Sequence, residues 1–545
     1  MINFFFRWMS NIDGRAGLNH QMLRTLQDKH KADPWQFTLC TLMLDGMSIK
    51  SDVRWNKQRG RMVGLVDLGE TAMEEEQDST DYATEALVVM AVGVVGHWKA
   101  PIAYFLTNKL PAATQGSLVK QCILSMHEIG YDVVCITFDG LASNVSMAKQ
   151  FGCRFQPGDL YPFFINPADS GKEIAVMFDA CHMLKLLRNL FEAEDVLSIP
   201  NVGNAQFEHV WLLHGVQETE GLRAANKLTV RHVEFHQQKM KVKLAAHLFS
   251  DSVSKALALA QTLNIDGFED CYPTQHLCSV VNNLFDILNS KSVFGKEYKA
   301  PLSLSRLEQV KSFLVDTREM FLQMRTGTGK LVCTGRSYLS VVGFASNITC
   351  VLKLSDFLLR KVIGGKPIDY FLMCKLSQDL VEMLFACIRR GLGCSNNPSA
   401  TEFESVFKKL LYRSGVSLLP CDNANVTRQD DTALVTVQCN SMRNGGSSED
   451  GLFEESLCES SDSSVLGNLS PFIDNILVYI AGFVVREVSR KVRCMVCFDA
   501  LTCALHQVSE NEFPSDHCLL MLKNNGGLVI PNDDVVKVVR IAESV

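Results

Sequence analysis

The chain has 545 residues, too many for one hydrophobic core and enough for about three domains. Hydrophobic residues make up 47% and charged residues 21%, which excludes a disordered or low-complexity chain. The net charge of −7 lacks the basic excess of a dedicated nucleic-acid-binding domain.

The 19 cysteines are odd in number and scattered, many in apolar runs such as those of Cys40, Cys135 and Cys387. They read as reduced, buried thiols of an intracellular protein. No apolar run approaches about 18 residues, so no membrane-spanning helix is expected. The first ten residues lack the basic start of a signal peptide.

Residues 1–35 read as helices around the turn Gly14-Arg15-Ala16-Gly17. Residues 36–70 are predicted as a β-hairpin. Its first strand holds the apolar run Leu42, Met43, Leu44 and ends in Asp45; its second returns over 61–68. The acids Glu74, Glu75, Glu76, Asp78 and Asp81 read as a solvated loop. Strands follow at 86–95 and 102–107. Leu118, Cys122, Ile123 and Met126 then give 115–129 the spacing of an amphipathic helix. The run Val133-Val134-Cys135-Ile136-Thr137-Phe138 is a second apolar strand ending in an acid, Asp139. A helix over 144–151 and a strand over 174–178 complete a β-β-β-α-β-α-β order, which predicts a mixed α/β sheet.

From Asp179 the pattern is helical as far as Glu382, with helices predicted over 240–250, 253–263 and 276–288. Two stretches carry polar groups of interest. One is Phe178-Asp179-Ala180-Cys181-His182-Met183-Leu184-Lys185, followed by Arg188-Asn189; the other runs from Asn282 to Asn289 around Phe285-Asp286. An aromatic face such as Phe285 can stack on a base. A carboxylate such as Asp286 can accept the two hydrogens of a guanine edge, and Lys185 can meet phosphate charge. Asn282 and Asn289 share a helical face with Phe285. Spacing alone also allows plain core and surface positions of a helix. Arg325 to Lys330 lacks the first glycine and the final Ser/Thr of a phosphate loop, and reads as a turn before a strand-like 339–344.

A helix over 376–390 carries Asp379 and Glu382 on one face. Another spans 402–412, where Lys408, Lys409 and nearby Arg413 could track a DNA backbone or simply be solvated. Residues 421–466 read as an acidic, Ser-rich linker. The tail, 467–545, regains apolar segments, with a helix at 473–485. Its Cys494-x-x-Cys497, Cys503, His506 and His517-Cys518 offer zinc ligands.

A carboxylate leaving an apolar strand needs hydrogen bonds, water or a cation. Asp45, Asp139 and Glu382, from two strands and a helix, would together form a hard-oxygen site suited to Mg²⁺ and phosphoryl transfer. Each acid taken singly also fits a turn or a helix cap.

These segments, in this order, resemble the catalytic core of P element transposases and their domesticated THAP-domain relatives. The resemblance implies an α/β fold: an RNase H-like core interrupted by a mostly α-helical GTP-binding insertion, plus a small C-terminal region. The expected divisions are an N-terminal helical segment (1–35), core (36–190), insertion (191–370), last core helices (371–420), linker (421–466) and C-terminal region (467–545). By the same resemblance Asp45, Asp139 and Glu382 are the catalytic triad and Mg²⁺ ligands. Asp179, Lys185, Asn282, Phe285, Asp286, Asn289 and Asp379 are the GTP ligands.

The implied activity is Mg²⁺-dependent phosphodiester cleavage and strand transfer on transposon-end DNA, with GTP as an assembly cofactor. A nuclear homo-oligomer without membrane contact is implied too. The family commonly has Glu after the first Asp, where this chain has Gly46. The family also carries an N-terminal zinc-binding THAP finger and a coiled coil, and the finger's Cys/His pattern has no counterpart before Cys40. The expectation is a P-element-type transposase or a truncated derivative of one, the given chain being a fragment, a truncated element or an incomplete gene model. The alternative is a domesticated, inactive remnant that binds GTP or partner chains.

Overall fold

The computed structural model describes residues 13–56, 60–69, 80–393, 396–412, 433–434, 470–491, 494–503, 515–524 and 527–543. Most of the acidic loop and linker, His506 and Arg413 lie outside these residues. The chain divides into two compact units. The first comprises 1–190, 239–243 and 283–439; the second comprises 191–238, 244–282 and 440–545. The expected insertion, 191–370, is thus shared: residues 283–370 group with the first unit, and the C-terminal region groups with the second.

The first unit is built on one sheet. Its strands are β1 (Gly17–Leu18), β2 (Leu39–Ser48), β3 (Glu85–Gly93), β4 (Trp98–Thr107), β5 (Asp132–Phe138), β6 (Phe163–Asn166) and β7 (Asp169–Phe178). They lie in the order β1-β4-β3-β2-β5-β7-β6, and the pair Ala433–Leu434 adds parallel to β4. β2 runs antiparallel to β3 and parallel to β5, and β5 runs parallel to β7. Parallel neighbours need cover on both faces, which explains the near-continuous apolar sequences of the central strands. All ten residues of β4 are buried.

The helices of this unit are α1 (His20–Ala32), α2 (Ala112–Glu128), α3 (Ala142–Gln150), α4 (Ala180–Glu194), α5 (Leu304–Gln323), α6 (Leu339–Leu359), α7 (Asp379–Gly391) and α8 (Ala400–Tyr412). α2 packs on β5, α6 on β7 and α7 on β2.

Two predicted elements differ. The antiparallel partner of β2 is β3, not 61–68; Arg61–Val63 pairs instead with Arg54–Asn56 in a small outlying ribbon. A central position takes a strand that can be buried throughout, and Arg61 and Met62 are exposed. The segment 339–344 is the start of α6, not a strand. A short apolar run does not distinguish the two periods. Within α6, Asn347 is fully buried; its Oδ1 accepts from Phe178 N at 2.8 Å and its Nδ2 donates to Phe178 O at 2.7 Å. A side chain thus satisfies the backbone where β7 ends. α6 is long and apolar enough to cross a membrane by composition, but it is mostly buried, against α5 and β7.

The second unit is largely helical, with a hairpin pairing Val196–Ile199 with Gly203–Gln206. Helices Glu208–Glu220, Asp251–Thr262, Pro471–Lys491 and Asp533–Glu543 are its main elements. Val478, Ala481, Leu520, Ile530 and Val536 form a small core within it.

Candidate active site

Sheet register brings the acids together. β2 and β5 pair Thr41 with Cys135, Leu42 with Ile136 and Met43 with Thr137. Carried two residues further, that register sets Asp45 beside Asp139. β7 pairs Met177 with Thr137 and Phe178 with Phe138, so Asp179 follows on the far side of Asp139; its N–H donates to Phe138 O at 2.9 Å. Three acids therefore leave three adjacent parallel strands at their carboxyl ends, where open α/β sheets bind ligands.

Glu382 is delivered by hydrogen bonds from the sheet. The hydroxyls of Thr41 and Thr137 donate to Lys375 O and Leu376 O, both at 3.0 Å, and lay the 3₁₀ turn Met373–Leu376 along the strand face. Alternation along β2 puts Asp45 on the same face as Thr41, and Asp139 directly follows the last residue of β5. Gln378 then donates from Nε2 to Leu44 O and from its backbone N to Asp179 Oδ1 at 3.1 Å. α7 begins at once, with Glu382 in its first turn.

Burial and mutual repulsion raise the acids' affinity for protons. Glu382 is pushed up to about 8 by burial and then by Asp179 and Asp45. Asp45 is pushed up to about 7 by burial and then by Asp139, against a pull from the Gly46 N–H. Asp179 rises to about 6 by burial and then Asp379, held back by the N–H groups of His182 and Gln378.

Asp139 Oδ1 accepts from Asn144 Nδ2 at 2.6 Å and Leu141 N at 3.0 Å. Asp45 and Asp139 line a cavity of about 300 Å³ with Glu85, Lys109 and Asn144. A buried set of carboxylate oxygens repelling one another fits a hard divalent cation. Asp179 and Asp379 are otherwise engaged: Asp179 caps α4 and Gln378 with its two oxygens, and Asp379 pairs with Lys291 at 3.3 Å. Cys181, Asp179 and Asp379 bring ligand atoms within 4.8 Å of one another, but those bonds already occupy both acids.

A pH dependence follows. Asp45 and Glu382 ordinarily titrate at 3.8 and 4.5 and are raised to about 7 and about 8 in the fold. Between those limits the native state holds more protons than the unfolded chain, so their contribution is present at low pH and lost as pH climbs to about 8. The metal-free thermal midpoint is expected to fall by several degrees from about pH 5 to 8. The rise produced by Mn²⁺ is expected to grow over the same interval, as protons cease to compete. Calorimetry with and without Mn²⁺ checks this; a Mn²⁺ shift independent of pH would exclude it.

Comparison with known proteins gives the same architecture. Residues 14–152 match the TNP-like RNase H N-terminal domain, 181–301 the TNP-like GTP-binding insertion domain, and 374–408 the TNP-like RNase H C-terminal domain. Residues 468–545 match the C-terminal domain of DNA transposase THAP9. The chain is 29% identical to human DNA transposase THAP9, over 99% of this chain and 59% of that protein. It is 22% identical to the Drosophila melanogaster transposable element P transposase, over 90% of this chain and 60% of that protein.

These matches show TNP-like RNase H and GTP-binding insertion domains and homology to THAP9 and the P element transposase. The chain spans about 60% of the length of these two relatives. A solved Drosophila P element transposase strand transfer complex shares the fold, with a TM-score of 0.60 and 22% identity over 75% of this chain and 84% of that one.

Within this architecture, Asp45 and Asp139 fall in the N-terminal RNase H match and Glu382 in the C-terminal one. Lys185, Asn282, Phe285, Asp286 and Asn289 fall in the GTP-binding insertion match; Asp179 and Asp379 fall outside it and join the acidic cluster above. Lys185 is buried and pulls down the pKa of both Asp179 and Glu382. Asp286 is partly buried and pairs with Lys299 at 3.7 Å. Asn282 Oδ1 accepts from Asp251 N at 3.2 Å. Phe285 is half-buried near the end of the helix Tyr272–Leu288. The Oδ1 of Asn289 is buried with no hydrogen-bond partner among the described residues.

A larger cavity in the second unit, about 1200 Å³, is lined by Glu192, Asp195, Glu208, Glu220 and Asp266 among apolar groups. Five carboxylates would repel a triphosphate. The lysines of the tail of α8 are partly committed, Lys408 pairing with Glu404 at 3.0 Å. Cys494, Cys497 and Cys503 are exposed and free.

Proposed function

We propose that the chain cleaves and rejoins DNA phosphodiesters in a divalent-ion-dependent reaction, with Asp45, Asp139 and Glu382 holding the ion. The observation that carries this reading is the delivery of all three acids to one end of the sheet by strand register and by the Thr41–Lys375 and Thr137–Leu376 bonds. A divalent cation there neutralises negative charge developing on a phosphodiester. Asn144 and the Leu141 N–H hold the Asp139 carboxylate in one orientation, and the Gly46 N–H does the same for Asp45 at 2.9 Å. Mg²⁺ is the natural ion for all-oxygen ligands acting on phosphates.

The relatives' names attach them to transposition, and the solved relative is a strand transfer complex. We assign this chain the same DNA substrate, a multimeric assembly and a nuclear place of action. The test is cleavage of duplex DNA at low salt with Mg²⁺ and GTP. Cutting that needs both the ion and Asp139 supports the reading. GTP binding without cutting would assign a nucleotide-binding remnant.

GTP is the cofactor we assign to Lys185, Asn282, Phe285, Asp286 and Asn289. Asp286 would accept the N1 and 2-amino hydrogens of guanine. Asp286→Asn is expected to weaken GTP about 10–100-fold, the worth of a charged hydrogen-bond pair, and to leave ATP unchanged. The same variant should gain affinity for xanthosine triphosphate, whose 2-oxo group accepts from the new amide. Titration of the three nucleotides decides it; equal loss of GTP and ATP would remove Asp286 from base recognition.

A further inference from the structure

Gly46 directly follows the first acid of the site, and the space above it is filled. A Cβ built on Gly46 would lie 2.1 Å from Glu85 Oε1 and 2.6 Å from its Cδ. The two residues sit diagonally across the β2–β3 ladder, where Ser48 pairs with Glu85 and Gly46 with Leu87. The Glu85 carboxylate lines the same cavity as Asp45 and Asp139. Its hydrogen-bond partner among the described residues is Thr107 Oγ1 at 3.4 Å, a long contact for a half-buried carboxylate.

We propose that Glu85 is a fourth carboxylate of the divalent-ion site, reaching the cavity it lines with Asp45 and Asp139 from the Gly46 face of the sheet, opposite the face that Asp45 shares with Thr41. The inference rests on the metal-dependent reading above. Gly46 and Glu85 are sterically matched: the Glu85 carboxylate occupies the space that a side chain at 46 would fill. Glu85 acts as a positioning residue: it supports the ion's hydration shell on the β3 side, while Asp45, Asp139 and Glu382 make the direct contacts.

The test is Mn²⁺ affinity of the full chain, read by water-proton relaxation, with the thermal midpoint measured alongside. Glu85→Gln keeps the shape and is expected to weaken Mn²⁺ about 10–100-fold. Gly46→Glu alone is expected to lower the midpoint, since its side chain meets Glu85. Combining Gly46→Glu with Glu85→Ala is expected to restore both the midpoint and the Mn²⁺ affinity, because one acid again fills the space. Unchanged affinity in Glu85→Gln, with binding lost in Asp139→Asn, would overturn the role of Glu85 and leave the metal site standing. A double variant that regains the midpoint but not Mn²⁺ would reduce the pair to packing. No Mn²⁺ binding by the unsubstituted chain would overturn both the inference and the metal-dependent reading.

Discussion

Asp139→Asn is expected to lower ion-dependent DNA cleavage by about 10³-fold or more while leaving the fold intact. Asp139 Oδ1 accepts from Asn144 Nδ2 and Leu141 N, and an Asn oxygen can accept both bonds unchanged. What is lost is charge. An ion held by three carboxylates loses one anionic ligand, worth several kcal/mol of transition-state stabilisation, and about 4 kcal/mol is a factor of roughly 10³ in rate. The metal-free protein should respond in the opposite sense. Asp45 is raised to about 7 by burial and by repulsion from Asp139, so neutralising Asp139 removes a cost from the native state. The metal-free midpoint is therefore expected to stay or rise, while the Mn²⁺-induced rise disappears. Calorimetry and single-turnover cleavage on one preparation separate the two effects. Full cleavage by Asp139→Asn would refute the site; a lower metal-free midpoint would show that the charge has a structural partner.

The parts of the site legible in the sequence are those where local pattern and position coincide. An apolar run ending in Asp marks a buried strand reaching the sheet's carboxyl edge, and Asp45 and Asp139 announce themselves in this way. Phe178-Asp179 repeats the pattern after β7, yet it reads equally well as a nucleotide motif. Only the register with Phe138 shows that Asp179 stands next to Asp139. Glu85 gives no signal because it begins a strand, and its relation to Gly46 exists only once β2 and β3 pair. The partner of β2 is not legible in the sequence because a hairpin is the nearest solution along the chain, whereas the buried centre of the sheet selects the more apolar strand. The start of α6 is not legible because the four apolar side chains of 339–344 fit both periods; Asn347, further along, has its partner in Phe178, 169 residues away in the chain. The division of 191–370 between two units depends on packing across long sequence separations, which composition does not encode.

Lys375→Met is expected to destabilise the chain by about 3–5 kcal/mol and to weaken Mn²⁺ binding as well. Lys375 is buried, and its ammonium donates to Val94 O at 2.9 Å, Val95 O at 3.3 Å and Gly96 O at 2.9 Å. These carbonyls belong to the turn between β3 and β4. Burial lowers the lysine's pKa to about 8, so the buried ammonium carries a solvation cost that Met would remove. The opposing effect is larger. Three carbonyls are left without their donor, each costing about 1–3 kcal/mol, and the methionine stem replaces the lost volume without replacing a hydrogen bond.

The second consequence comes from the position of Lys375 in the chain. Its own carbonyl takes the Thr41 hydroxyl, the next carbonyl takes Thr137, and Gln378 follows into α7 and Glu382. Loosening this turn displaces the acid it carries, so Mn²⁺ affinity should drop even at temperatures where the variant remains folded. Thr41→Val provides the graded control, removing one hydroxyl donor for about 1 kcal/mol. Urea unfolding at pH 7 and Mn²⁺ titration at low temperature read the two effects. A variant as stable as the parent would mean that water reaches the three carbonyls. A destabilised variant with undiminished Mn²⁺ affinity would show that Glu382 is held by α7 packing on β2 alone.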